Sequence, residues 1–177
     1  AERSEKLAPP RGGFLSGFAR DVMKTAPEGQ EPYSFITSLI KGGQGGIDEF
    51  QRREKDYLDW VLQKVQSFTL PINKLKVIRA WTITYHKNGY QGIHVHTGDM
   101  DYKTFSVVMH MDDVITTKEN KYDGVLFTIM PEPNGHQHPG HYLSQAGGVV
   151  MLDGRVWHGV YPTSTQRRSF IVDFEYE

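Results

Sequence analysis

The chain contains no cysteine. Disulfides, thiolate metal ligands and a cysteine nucleophile are excluded, so a metal site would need imidazole or oxygen donors. Net charge is nearly absent too: 20 Lys and Arg against 21 Asp and Glu leave −1. No global basic field points to nucleic acid or to an anionic membrane. No apolar stretch approaches the roughly 20 residues of a membrane span. The N-terminal AERSEKLAPPRGGFLSGF lacks the apolar run of a signal peptide. These absences predict a soluble, cytoplasmic protein with neither nucleic-acid nor membrane partners. At 177 residues, one domain with a real core is expected.

What is present changes character along the chain. Residues 1–46 read as irregular or mixed and end in KGGQGG (41–46). No β-branched strand precedes that cluster and it lacks GxGxxG spacing, so a mobile loop is expected rather than a nucleotide cradle. Residues 47–68 predict one amphipathic helix, with Phe50, Tyr57, Leu58, Val61, Leu62, Val65 and Phe68 at three- and four-residue steps and Pro71 beyond its end. From residue 75 the pattern becomes β. KLKVIRAWTITYH, KTFSVVMHM, GVLFTIM, GGVVMLDG, RVWHGVY and RRSFIVDFEY are short and rich in Val, Ile, Thr and aromatics. Close strands without intervening helices argue a mainly β sandwich or barrel. The segment PEPNGHQHPGHYLSQ (131–145) reads as a loop.

The candidate chemistry starts at GYQGIHVHTGD (89–99). On a strand, His94 and His96 project to the same side, roughly 6–7 Å apart at the backbone, close enough to converge on one ion. Imidazole suits iron, zinc, copper and nickel. Read alone, the pair is more simply a polar pattern at a strand end. His158, in a later β segment, would be a third ligand if the strands come together; in isolation it reads as a core histidine beside Trp157. Arg167 and Arg168 follow nine and ten residues later. Adjacent strand residues face opposite sides, so only one of them can point inward. A buried guanidinium needs a counter-charge, and a carboxylate is its natural partner. Among the other histidines, His136, His138 and His141 read as surface, His86 as loop, and His110 as core or pocket wall.

Taken in order, these residues resemble the iron(II)/2-oxoglutarate-dependent oxygenases, in particular a branch from bacteria and phages with an HxH motif. The resemblance rests on Trp81, Gly89, HVH (94–96), FSVVMHM (105–111), GGVVMLDGRVWHGVYP (147–162) and RRS (167–169), and it covers about residues 75–177. It implies a double-stranded β-helix, or jelly roll, over 75–177, with residues 1–74 forming an N-terminal extension and packing helix. It implies iron(II), 2-oxoglutarate as cosubstrate and O2. The expected outcome is hydroxylation of a C–H bond in a small-molecule or peptide substrate, recognised by the N-terminal region and the 131–145 loop.

Residue by residue, His94 takes the first ligand position and His158 the distal one. Arg167 takes the cosubstrate anchor, with Ser169 beside it on the same face and Arg168 as the runner-up. Tyr85, like Tyr90 and Trp81, is a candidate to line the pocket. His96 departs from the pattern, because the family usually has a carboxylate there. A three-histidine set of His94, His96 and His158 ranks first. Asp99 bending back is the main challenger, and an open position, as in related halogenases, is the third reading. Two rivals stand beside this family: a cupin-like three-histidine enzyme that does not use 2-oxoglutarate, and a non-catalytic jelly-roll binding module. The first leaves the arginine after His158 without a role.

Overall fold

The computed structural model describes residues 34–40, 42–67, 72–96, 103–131 and 133–177. Phe68, Pro71 and Asp99 lie outside the described residues. Among the described residues, nine strands form two antiparallel sheets. They are β1 (Ser34–Ser38), β2 (Leu75–Tyr85), β3 (Gln91–His94), β4 (Thr104–His110), β5 (Leu126–Pro131), β6 (Gln137–Tyr142), β7 (Val149–Asp153), β8 (Trp157–Val160) and β9 (Arg167–Tyr176). The major sheet has the order β1-β2-β9-β4-β7 and the minor sheet β3-β8-β5-β6. This is the expected jelly roll.

Alternation along the major-sheet strands separates two cores. One face carries Val77, Ala80, Phe105, Val107, Phe170, Val172 and Phe174, which pack with the helices. The other carries Ile83, Tyr85, Val108, Ile171 and Leu152, which meet Leu126 and Val160 of the minor sheet. Strand β9 thus serves both: Phe170, Val172 and Phe174 look toward the helices, while Arg167, Ser169, Ile171 and Asp173 look between the sheets.

The helical segment is two helices rather than one, α1 (Gly43–Arg53) and α2 (Lys55–Ser67). They are separated at Glu54, which leaves helical geometry at φ −106° and ψ 24°. Tyr57, Val61 and Val65 share one face of α2 and are buried. The rings of Phe50 and Tyr57 lie 6.3 and 5.2 Å from Phe170. The glycine cluster opens α1 instead of forming a loop, and its left-handed entry at Gly42 (φ 79°) and Gly43 (φ 60°) explains why glycine stands there.

Two further segments depart from expectation. Residues 34–38 form β1, paired antiparallel with β2 from Ser34↔Tyr85 to Ser38↔Trp81. Within the expected 131–145 loop, residues 137–142 form β6, paired with β5. Pro139 hid this strand, because proline cannot donate to a ladder. It is tolerated here because β6 is the edge of its sheet, with one side unpaired.

Candidate metal centre

Register brings the three leading histidines together. Strand β3 pairs with β8 so that His94 lies opposite His158. The strand ends at His94, but His96, two residues on, still stacks its ring on that of His94 with centroids 5.3 Å apart. The rings of His94 and His96 stand 4.3 and 4.6 Å from that of His158. One ligand atom from each residue falls within 4.8 Å of the other two.

Each imidazole is oriented through Nδ1. That atom lies 2.8 Å from the Gly92 carbonyl in His94 and 2.9 Å from the Val156 carbonyl in His158. In His96 it lies 2.5 Å from Ser106 Oγ and 2.9 Å from Asp173 Oδ1. A carbonyl or carboxylate oxygen can only accept, so each Nδ1 carries a proton, and wherever the ring is neutral its Nε2 presents a lone pair. The Nε2 atoms of His96 and His158 are 3.1 Å apart. That contact is a hydrogen bond when one ring carries a proton on Nε2 and an opposition of lone pairs when neither does. With the rings neutral through Nδ1, the three Nε2 lone pairs are free to hold a metal ion. Burial pushes the His158 pKa down to about 4 and that of His94 below its usual value, so both are neutral at pH 7.

Asp173 was not anticipated from the sequence. It is buried, and it faces Arg79 across β2 and Ser106 across β4 by register. Arg79 donates to Oδ2 through Nη2 at 2.6 Å and Nε at 3.1 Å, and Ser106 Oγ donates to Oδ1. Burial acts to raise its pKa, but the hydrogen bonds from His96 and Ser106 and the charges of His96 and Arg79 outweigh it and hold the pKa below the ordinary value. Its signal in the sequence is an aspartate inside the apolar run SFIVDFEY, an even number of residues from Arg167 and so on the same strand face.

The arginine pair separates as alternation requires. Arg168 forks onto Asp112, with bonds of 2.9 and 2.7 Å, and does not enter the space between the sheets. Arg167 turns inward and is 1% exposed. Its guanidinium donates to Ser169 Oγ at 2.9 Å and to His110 Nδ1 at 3.2 Å, and it lies 5.0 Å over the Tyr85 ring. Its Nε has no partner. Among the described residues no carboxylate forms an ion pair with it. Tyr85 donates from its hydroxyl to Gln91 Oε1 at 2.8 Å, and burial raises its pKa to about 12. Tyr90 is exposed, whereas Trp81 lies 5.4 Å from the His96 ring.

The inner face of the major sheet thus has two polar ends. Arg79, Asp173 and Ser106 form one row behind the histidines; Tyr85 and Arg167 form the other end, with Ser169 and His110 beside it. Trp81, Ile171 and Val108 make an apolar row between them. Asp173 and Arg167 are six residues apart, roughly 20 Å along an extended strand. A cleft of about 450 Å³ opens beside Trp81, Gln91, His94 and His96. A second, small cavity of about 20 Å³, near the size of one water site, lies between the sheets beside His158, Arg167 and Ser169. A larger ligand reaches the arginine only by displacing side chains that line it.

His110 gives this end a pH dependence. Burial, and secondly the Arg167 charge, push its pKa down to about 3. The unfolded chain takes up the proton near the ordinary value of about 6.5, so this contribution to stability is complete above that pH and is lost as pH falls toward 3. Between pH 7 and pH 5 the loss from this one group is expected to be about 2 kcal/mol. His110→Asn keeps an acceptor for Arg167 but cannot titrate. Urea midpoints at the two pH values should fall less for this variant than for the native protein.

No family model matches the sequence, and no curated protein matches it. Solved structures do. A 2OG-Fe(II) oxygenase family oxidoreductase from Burkholderia pseudomallei superposes with a TM-score of 0.62 at 15% identity, over 89% of this chain and 77% of that one. The fold is that of the 2OG-Fe(II) oxygenases. A viral collagen prolyl hydroxylase from Paramecium bursaria Chlorella virus-1, in a 2OG complex, matches with a TM-score of 0.54 at 15% identity, over 92% of each chain. A Pseudomonas putida prolyl-4-hydroxylase gives 0.50 at 18% identity, over 81% of this chain and 69% of that one. At these identities the likeness to 2OG-Fe(II) oxygenases is one of fold. Among the described residues, no helix is long and apolar enough to cross a membrane.

Proposed function

We propose that this chain is an iron(II)- and 2-oxoglutarate-dependent oxygenase that hydroxylates a C–H bond of a small-molecule or peptide substrate. His94, His96 and His158 would hold the iron, and Arg167 with Ser169 would receive the far carboxylate of 2-oxoglutarate. The observation that carries this reading is the buried, carboxylate-free Arg167 on the same inner sheet face as the row behind the histidines. A buried cation without a counter-ion is costly, so a cleft that holds one is a candidate site for an anionic ligand. Bound iron and cosubstrate supply the oxidative chemistry. The chain's residues do the rest. The three Nδ1 contacts hold the imidazoles in register, the fork of Arg167 orients a carboxylate, and the Trp81–Ile171–Val108 row keeps water from the space between.

A cupin-like enzyme that uses the three histidines without 2-oxoglutarate explains the metal centre but leaves Arg167 uncompensated. A binding module explains neither feature. Anaerobic addition of iron(II) and 2-oxoglutarate tests all three readings. A visible charge-transfer band, followed by succinate formation in air, is expected. Iron binding with no band would favour the cupin-like enzyme, and no iron binding would favour the binding module.

A further inference from the structure

The three imidazoles are not equivalent. His94 and His158 rest on neutral backbone carbonyls, Gly92 and Val156, while His96 alone rests on a carboxylate. His96 also occupies the position where the two-histidine-one-carboxylate triad carries its negative charge. Three neutral imidazoles would put no negative charge on a divalent ion.

We infer that Asp173 supplies that charge from one residue behind: it acts through the Nδ1 proton of His96, so that His96 and Asp173 together form one anionic ligand. The inference rests on the metal-centre reading above. Asp173 would be a positioning residue, since it does not touch the metal itself. Its own setting supports a fixed anion. Oδ1 faces His96, with the Ser106 hydroxyl donating to the same oxygen while its Oγ also lies against His96 Nδ1 at 2.5 Å, and Oδ2 takes two bonds from Arg79. All four contacts require an acceptor, so the carboxylate is ionised in this arrangement. Arg79 offsets that charge only in part. Its side chain is 55% exposed, so water screens its charge, whereas Asp173 is 4% exposed and meets His96 on the buried side, where screening is weaker. Charge held behind a metal-bound imidazole raises the basicity of that ligand, and loss of such a partner typically costs about 10- to 100-fold in metal affinity.

Asp173→Asn is the discriminating change, because the amide oxygen keeps an acceptor for His96 Nδ1 while the charge is removed. Cobalt(II), a redox-stable probe, is titrated anaerobically into the metal-free full chain and followed by equilibrium dialysis and by its visible bands. Asp173→Asn is expected to bind cobalt about 10- to 100-fold more weakly than the native chain, and Asp173→Glu to recover part of the loss. Binding by Asp173→Asn within twofold of native would overturn the inference and leave the metal centre standing. Failure of the native chain to bind cobalt would overturn the metal centre, and the inference with it. Arg79→Gln supplies a second test, in which the side-chain amide can still donate to the carboxylate while the opposing cation is removed. If Asp173 acts by its charge, removing the opposing cation leaves affinity unchanged or tighter. If Asp173 only braces the ring, losing the arginine that holds it weakens binding, and the inference fails.

Discussion

Arg167→Met is expected to abolish measurable 2-oxoglutarate binding while leaving the fold about as stable as before, and Arg168→Ala is expected to do neither. The difference follows from one residue of register. Arg167 is buried between the sheets, with Ser169 and His110 as its neutral partners and no carboxylate of its own. Removing one side of a buried, hydrogen-bonded charge pair costs about 2–5 kcal/mol of binding, or roughly 30-fold to several thousand-fold in affinity. The metal-free protein should lose little, because a desolvated guanidinium replaced by an apolar chain of similar length is often neutral or stabilising. The bonds to Ser169 and His110 offset part of that gain, so stability within about 1 kcal/mol of native is expected. Arg168 lies at the surface on Asp112, with 35% and 20% of the two side chains exposed. Its loss should cost about 1 kcal/mol or less and leave affinity within twofold. Titration calorimetry with iron present gives the affinities, and urea unfolding of the metal-free variants gives the stabilities. If 2-oxoglutarate binds Arg167→Met as well as native, the anchor assignment is wrong.

Loss of His158 should remove the response of the fold to metal. The native chain, titrated anaerobically with iron(II), gains stability by mass action, about 2.7 kcal/mol when free metal stands at 100 times its dissociation constant. His158→Ala is expected to show no such gain at the same concentration. Two imidazoles cannot replace three whose Nε2 atoms already converge. Thermal unfolding with and without iron measures the gain. A metal-induced rise that survives in His158→Ala would show that the ion sits elsewhere.

Several parts of this arrangement are legible in the residues themselves. The strands after residue 75 announce themselves by β-branched and aromatic composition, and RRSFIVDFEY is strand β9 from Arg167 to Tyr176 as read. The amphipathic spacing of Phe50, Tyr57, Val61 and Val65 marks the face that packs on the sheet. The break at Glu54 was hidden because its flanks keep the same period. Strand β6 was hidden because Pro139 and two glycines nearby read as loop, and only its place at a sheet edge makes the proline harmless. The helical start at Gly43 runs against glycine's propensity, and no local pattern announces it.

The candidate site divides along the same line. By itself the sequence determined which residue types were on offer: no thiolate, two histidines at a spacing of two, a later histidine, and an arginine pair of which alternation admits one inward. Tertiary structure decided everything that depends on register. It set His158 opposite His94 across β3 and β8, chose Arg167 over Arg168 for the interior, and put Asp173 between Arg79 and Ser106 behind His96. The physical reason is that strand periodicity is a property of neighbouring residues, whereas cross-strand pairing joins residues as far apart as Arg79 and Asp173, and nothing local to either one encodes the other.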